Sequence, residues 1–228
     1  MHKINIAIDG PAGSGKSTVA KETAAHLSYL YIDTGAMYRS LTFRALQANI
    51  SEQDEDSLLR LLTDMDITLK HGEKEAQVQV FVNGQLLGEE IRSQAVTGKV
   101  SEVSAHGKIR EEMVARQQKI AEQKGVVLDG RDIGTFVLPG AELKIYLYAS
   151  VDERTKRRHL ENIANGRPSD ILATREELQR RDHLDRERSI APLKQAKDAV
   201  PIDTTDLTSE EVVARICRIA REKETEGS

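Results

Sequence analysis

Between Ile4 and Ser17 an apolar, β-branched run passes directly into a glycine-rich turn, and few folds accept that junction. Ile4-Asn5-Ile6-Ala7-Ile8 has the character of a buried strand. It runs into Gly10-Pro11-Ala12-Gly13-Ser14-Gly15-Lys16-Ser17, followed by Thr18, with the spacing G-x-x-x-x-G-K-S. Glycine at positions 10, 13 and 15 lets the backbone take positive φ and come close to a ligand. The N–H groups so freed converge on phosphate oxygens, and the following helix adds its positive N-terminal end. Lys16 is placed to reach the β- and γ-phosphates as a point charge, and Ser17 to offer a hydroxyl to Mg²⁺. Val19, Ala20, Thr23, Ala24 and Leu27 continue at helical spacing, so the motif lies between a strand and a helix, as its mechanism requires. This stretch predicts nucleoside triphosphate binding and leaves the phosphoryl acceptor open.

The 228 residues suffice for one sizeable core, or a core with a small insert. Lys and Arg number 33 against 37 Asp and Glu, a formal charge of −4, which argues against a general nucleic-acid coat or a membrane-surface protein. Arginines are nevertheless concentrated between Arg154 and Arg188. The lone cysteine, Cys217, sits among Val212, Val213, Ile216 and Ile219 at helical spacing and reads as a buried apolar residue in a reducing cytosol. No apolar run reaches membrane-spanning length, and the N-terminus enters a strand at once, leaving no room for a signal peptide. A cytoplasmic monomer is expected, since no long apolar face is left over.

Further along, Tyr29–Ile32 is a strand ending in Asp33-Thr34-Gly35-Ala36-Met37-Tyr38-Arg39, where Asp33 or Thr34 caps a helix. Ligands of open parallel sheets bind beyond the carboxyl ends of strands, so Arg39 faces either a second ligand or solvent. Ser51 to Leu62 reads as a helix capped by Ser51. Ile67–Leu69, Gln77–Val82 and Gln85–Leu87 then alternate as short strands, with the hairpin signal Asn83-Gly84 between the last two. They predict a small antiparallel insert over residues 64–88 that closes over a substrate. Residues 90–123 are helical with a break near Gly107, and Arg92, Lys99, Ser101 and Arg110 within them are candidates to line a cleft. Gly125–Asp129 is a strand continuing into Gly130-Arg131-Asp132, an acid–base–acid set where an acid assisting Mg²⁺ would lie.

Leu143–Ala149 is another strand, and a helix begins near Val151. Gly166-Arg167-Pro168-Ser169 divides the charged stretch that follows into two helices. Arg181, Asp185 and Arg188 fall on one face, an arrangement suited to a phosphorylated sugar, and the helix pair suits a lid that excludes water. Ala199–Asp203 is a last strand, and Thr208 or Ser209 caps the closing helix.

Ile8-Asp9-Gly10-Pro11 leading the loop, the stretches 33–39 and 128–135, and Arg180-Arg181-Asp182 through Asp185-Arg186-Glu187-Arg188 with Ala191-Pro192-Leu193 together resemble the bacterial cytidylate kinases over almost the whole length. The resemblance implies the P-loop nucleoside monophosphate kinase fold: an α/β core (residues 1–63, 89–152 and 189–228), an antiparallel insert for the monophosphate (64–88) and a helical lid with the arginine-rich helix (153–188). It implies transfer of the γ-phosphoryl group of ATP to CMP or dCMP with Mg²⁺. Gly10, Pro11, Ala12, Gly13, Ser14, Gly15, Lys16, Ser17 and Thr18 resemble the ATP site, joined by Arg158 and Arg157 and by Arg154 from the lid. Ser101, Arg110 and Asp132 resemble the cytosine-reading residues, Arg181 and Asp185 the sugar contacts, and Arg39, Arg131 and Arg188 the clamp on the acceptor phosphate, with Thr34 and Tyr38 beside them. Lys16, Arg131, Arg158 and Arg188 would carry the transfer. Ser17 stands where some family members have glycine, so this chain is expected to ligate Mg²⁺ directly, while the assisting acid is Asp129 or Asp132, or water takes that place. Rival readings are a kinase of UMP, shikimate or a sugar acid on the same scaffold, and a nucleotide-gated switch, which would have no use for a second set of arginines. A nucleic-acid role is disfavoured by the acidic balance and the lack of interleaved aromatics.

Overall fold

The computed structural model describes residues 2–71 and 78–226. Its framework is a five-stranded parallel sheet of β1 (Asn5–Asp9), β2 (Leu30–Asp33), β6 (Val126–Gly130), β7 (Leu143–Tyr148) and β8 (Val200–Asp203), in the order β2-β6-β1-β7-β8. The strand periodicity divides the core in two. Ile4, Ile6 and Ile8 point with Val127, Ile145 and Leu147 into a cluster covered by α1 (Lys16–Leu27) and α8 (Ser209–Glu226). Ala7, Leu128 and Ile32 point the opposite way, under α2 (Thr34–Gln47), α3 (Glu55–Thr63) and α5 (Gly107–Ala121). Burial on both faces is why β1 and β6 read as nearly unbroken apolar runs.

The insert forms as expected. β3 (Ile67–His71), β4 (Val78–Val82) and β5 (Gln85–Leu87) make an antiparallel sheet. Asn83 and Gly84 both take positive φ (51° and 76°) in the two-residue turn that pairs Val82 with Gln85. Val80, Val82 and Leu87 bury one face of it in the same cluster as Ile32 and Leu41, so the insert shares the core. Gln77, expected to open β4, lies outside the described residues.

Two local expectations shift, and the break expected near Gly107 falls just before it. Helix α3 is capped by Asp54, whose carboxylate accepts from Ser57 N (3.0 Å); the Ser51 hydroxyl is taken up two residues on, accepting from Gln53 N (3.2 Å). The break between α4 (Gln94–Val103) and α5 falls at residues 104–106, and Gly107 is already the first residue of α5. Helix α7 (Ile171–Glu187) ends before Arg188, which sits at its C-cap in an extended conformation rather than on the helical face shared by Arg181 and Asp185. The final helix uses Thr208: its hydroxyl accepts from Glu211 N (3.3 Å) and Glu211 accepts from Thr208 N (2.9 Å), a reciprocal capping box.

Candidate active site

The glycine-rich loop is held by sterics as much as by hydrogen bonds. At Gly10 (φ 152°) an added Cβ would lie 1.9 Å from Leu147 O, and at Gly13 (φ 77°) it would lie 3.1 Å from Arg154 O, so both positions demand glycine. Inside the loop, the buried Lys16 ammonium donates to Pro11 O (2.6 Å) and lies 3.4 Å from Ser14 Oγ. Burial, reinforced by Arg131, brings its pKa well below that of a free lysine. Ala12 is gripped at both ends of its backbone: its N–H donates to Asp182 Oδ1 (3.2 Å), and its carbonyl accepts from Arg154 Nη1 (2.9 Å). Beyond the loop, Arg157 donates to Thr204 Oγ1 (3.0 Å) and Thr204 O (2.5 Å), while Arg158, from α6 (Val151–Ala164), pairs with Glu161 at 3.0 Å.

Sheet register brings two acids together at the strand ends, since Asp33 of β2 lies opposite Asp129 of β6. They carry opposite loads. Burial pushes Asp33 up, but Arg39 (2.9 Å) and Arg92 (3.1 Å) outweigh it and hold the carboxyl below the usual range. Asp129 makes no such arginine pair, and burial together with Asp33 raises it against the pull of Lys16. Its oxygens accept from Ser17 Oγ (2.8 Å) and Tyr31 OH (2.8 Å). A hydroxyl and a buried, under-compensated carboxylate 2.8 Å apart beside a phosphate-type loop are hard oxygen donors of the kind Mg²⁺ takes, and they fit it. Among the described residues no group of three or more His, Cys, Asp or Glu side chains gathers as a cage.

The opposite wall is built around Asp132. One of its oxygens accepts from Arg110, which is 1% exposed, and the other accepts from Arg188 Nη2 at 3.0 Å. Arg110 also donates to Ser104 O (3.1 Å) and lies over the Tyr38 ring, 5.8 Å from its centroid. Arg131 bonds Asp185 at 2.7 Å; burial pushes Asp185 up, but Arg131 holds it below its ordinary value. Burial and the neighbouring Arg131 bring Arg181 down to about 10. Among the described residues six buried side-chain polar atoms lack a hydrogen-bond partner, and four of them line this wall: Tyr38 OH and the Nε atoms of Arg39, Arg110 and Arg181. Such concentrated unmet hydrogen bonding, mostly donors, marks a surface for a polar, anionic ligand.

Loop and wall face one another across one cleft of about 1290 Å³. It is lined by residues 12–18 and by Thr34, Tyr38, Arg39, Ser101, Arg110, Asp129, Arg131, Asp132, Arg157, Arg158, Arg181, Asp185 and Arg188, as expected from the sequence. Gly10 and Pro11 are buried behind the loop and do not line it. Arg154 does not face the cleft either: 3% exposed, it is committed to Ala12 O and Asp182. Lys99 leaves for Glu52 (2.6 Å). Sequence reasoning saw Asp33 as a candidate helix cap, which it is (it accepts from Ala36 N at 2.7 Å), but not that it holds Arg39 and Arg92, and it gave no role to Asp182. It also missed Arg167, which lines the cleft from the turn between α6 and α7 and pairs with Glu89 (2.9 Å). Periodicity carries no trace of such pairs.

Comparison with known proteins agrees with this geometry. The family model described as cytidylate kinase matches residues 6–222. The cytidylate kinase of Geobacillus thermodenitrificans is 59% identical over 97% of this chain and 98% of its own length, and that of Geobacillus kaustophilus is 58% identical with the same coverage. At the level of fold alone, the crystal structure of a shikimate kinase from Bacteroides thetaiotaomicron aligns with 96% of this chain and 99% of that chain, with a TM-score of 0.52 and 14% identity. A phosphate-type loop opposite an arginine wall, on a scaffold shared with other small-molecule kinases, therefore takes its specific assignment from the full-length sequence matches: the chain belongs to the cytidylate kinase family.

Proposed function

We propose that this chain transfers the γ-phosphoryl group of ATP to CMP or dCMP, giving ADP and CDP or dCDP. The observation that carries the reading is Asp132, a carboxylate fixed between Arg110 and Arg188 in the wall that faces the glycine-rich loop. Each of its oxygens spends one lone pair on an arginine and keeps another, so Asp132 can still accept from the exocyclic amine of cytosine. Arg110 and Ser101 flank it for the ring nitrogen and carbonyl. Uracil presents a carbonyl where cytosine has the amine, and a carboxylate facing it would be unmatched.

In this reading Arg39, Arg131 and Arg188 hold the acceptor phosphate, Arg181 and Asp185 the sugar, and Thr34 and Tyr38 complete the wall. The acceptor is a phosphate oxygen already largely ionised at neutral pH, so no general base is required. Catalysis rests on holding it in line with the γ-phosphorus and on neutralising charge with Lys16, Arg131, Arg158 and Arg188. Ser17 and Asp129 would hold Mg²⁺, which when bound with ATP neutralises charge on the β- and γ-phosphates. Residues 64–88 act as the acceptor-side insert and 153–188 as the lid with its arginine-rich helix, which Arg167 ties to Glu89 of the core just after the insert. In this reading the chain acts as a monomer. Among the described residues no helix is long and apolar enough to cross a membrane, and the buried Cys217 thiol is in keeping with the cytoplasm. A panel of nucleoside monophosphates with ATP and Mg²⁺, reading ADP release, tests the assignment. CMP and dCMP should be turned over well above UMP and AMP, and ADP release indifferent to every monophosphate would refute it.

A further inference from the structure

The loop and the acceptor wall meet at one buried ion pair that the reaction scheme leaves unused. Asp182 lies on α7 between Arg181 and Asp185, yet turns away from the acceptor side. Its Oδ1 accepts from Ala12 N (3.2 Å) and its Oδ2 from Arg154 Nη1 (2.7 Å). Arg154 Nη1 also donates to Ala12 O (2.9 Å), and its Nε donates to Ala149 O (3.2 Å). Asp182 is 4% exposed and Arg154 3%.

A buried ion pair is weak evidence for stability, because packed apolar residues of the same volume commonly do as well. What this pair does that an apolar pair would not is fix a peptide plane. Ala12 N–H and Pro11 C=O belong to one planar unit and cannot turn independently. The same Pro11 oxygen receives the Lys16 ammonium at 2.6 Å. Asp182 therefore reaches Lys16 through a single rigid peptide. Seating the acceptor sugar on Arg181 and Asp185 fixes the position of α7, and Asp182 is carried with that helix.

We propose that Asp182, clamped by Arg154, is a positioning residue that couples the two nucleotide sites by setting the Pro11–Ala12 peptide, and with it Lys16, according to how α7 is seated on the acceptor. The proposal rests on the assignment of the donor to the loop and the acceptor to the wall. Coupling of this kind is reciprocal: the acceptor tightens the donor by the factor by which the donor tightens the acceptor.

The test is the dissociation constant of the β,γ-imido analogue of ATP with Mg²⁺, measured by calorimetry with and without saturating CMP. In the unmodified protein CMP should tighten the analogue by at least about five-fold, the lower end of ordinary coupling. In Asp182→Asn one of the two oxygens, which now accept separately from Ala12 N–H and Arg154, becomes an NH2 that cannot accept, and the ratio should fall below about two-fold. Each nucleotide alone should stay within roughly three-fold of its original affinity, while kcat falls more than KM does. A merely structural role would lower both affinities and the melting temperature and leave the ratio where it was, which overturns the proposal, as does an unmodified protein with a ratio near one. If Asp182→Asn does not fold, Arg154→Met combined with Asp182→Leu decides. It removes both charges without stranding either, and it must lose the ratio in the same way. Should another monophosphate prove the true acceptor, the ratio is measured with that one, so failure of the assignment and failure of the coupling stay separate.

Discussion

Asp132 shows how much one side chain can be asked to do. It neutralises a fully buried guanidinium, ties down Arg188 beyond the end of its helix, and keeps lone pairs for a ligand. Truncation removes all three at once. Asp132→Ala should raise the KM for CMP by roughly 10–100-fold, the scale of losing a charge-assisted hydrogen bond and leaving a buried cation unmatched. The KM for ATP should move little, since the Asp132 carboxylate bonds Arg110 and Arg188 and not the glycine-rich loop. Steady-state kinetics with each nucleotide varied in turn checks this, and an equal loss on both sides would remove Asp132 from its reading role. Its place at a strand's carboxyl end was legible in the sequence, because acid–base–acid after an apolar run is a local signal. Its two arginine partners were not. They lie 22 and 56 residues away, and nothing in a linear pattern says that they converge.

At the scale of elements the same division holds. Strand–loop–helix at residues 4–17, the Asn83-Gly84 hairpin and the cap of the closing helix are each specified by residues within a few positions of one another, and each forms where it was read, with Thr208 rather than Ser209 as the cap. The misplaced start of α3 is a competition between two good caps, Ser51 and Asp54. Asp54 prevails because its carboxylate meets the helix amide of Ser57, while Ser51 closes a turn of its own in which Asp54 N donates to Ser51 O (3.1 Å). Asp54→Ala should therefore lower the melting temperature by a few degrees, and Ser51→Ala by less, since a lost cap matters only where the helix begins. Thermal denaturation of the two variants side by side distinguishes them, and a larger loss from Ser51→Ala would return the cap to that residue. The Arg167–Glu89 bridge is different in kind. Arg167 and Glu89 are partly solvated, so their pair contributes less than about 1 kcal/mol and serves to hold two elements in register.

Across the whole molecule, two apolar clusters on opposite faces of one sheet leave the carboxyl ends of its strands as the place where polar groups can collect, and the central strand β1 delivers Asp9 there. Asp9 accepts from Ile133 N and Gly134 N at 2.8 Å each, and so joins the strand that launches the loop to the turn that carries Asp132. Burial, reinforced by Asp132 and only partly offset by those two amides, pushes its pKa up to about 6 from 3.8. Because the folded value lies above the unfolded one, the native state binds more protons between the two, and stability from this group falls as pH rises through about 4 to 6 and levels off above. Asp129, also raised, has the same sign, whereas Asp33 and Asp185, held low by arginines, are lost only as pH falls through the ordinary carboxylate range. Comparing the unmodified protein with Asp9→Asn cancels those shared contributions. Between pH 5 and pH 7.5 the unmodified protein should lose about 1–2 kcal/mol relative to Asp9→Asn, a difference of a few degrees in melting temperature. A gap between the two melting temperatures that stays constant over that range would mean Asp9 titrates as an ordinary carboxylate, and that its two amide bonds are strong enough to cancel its burial.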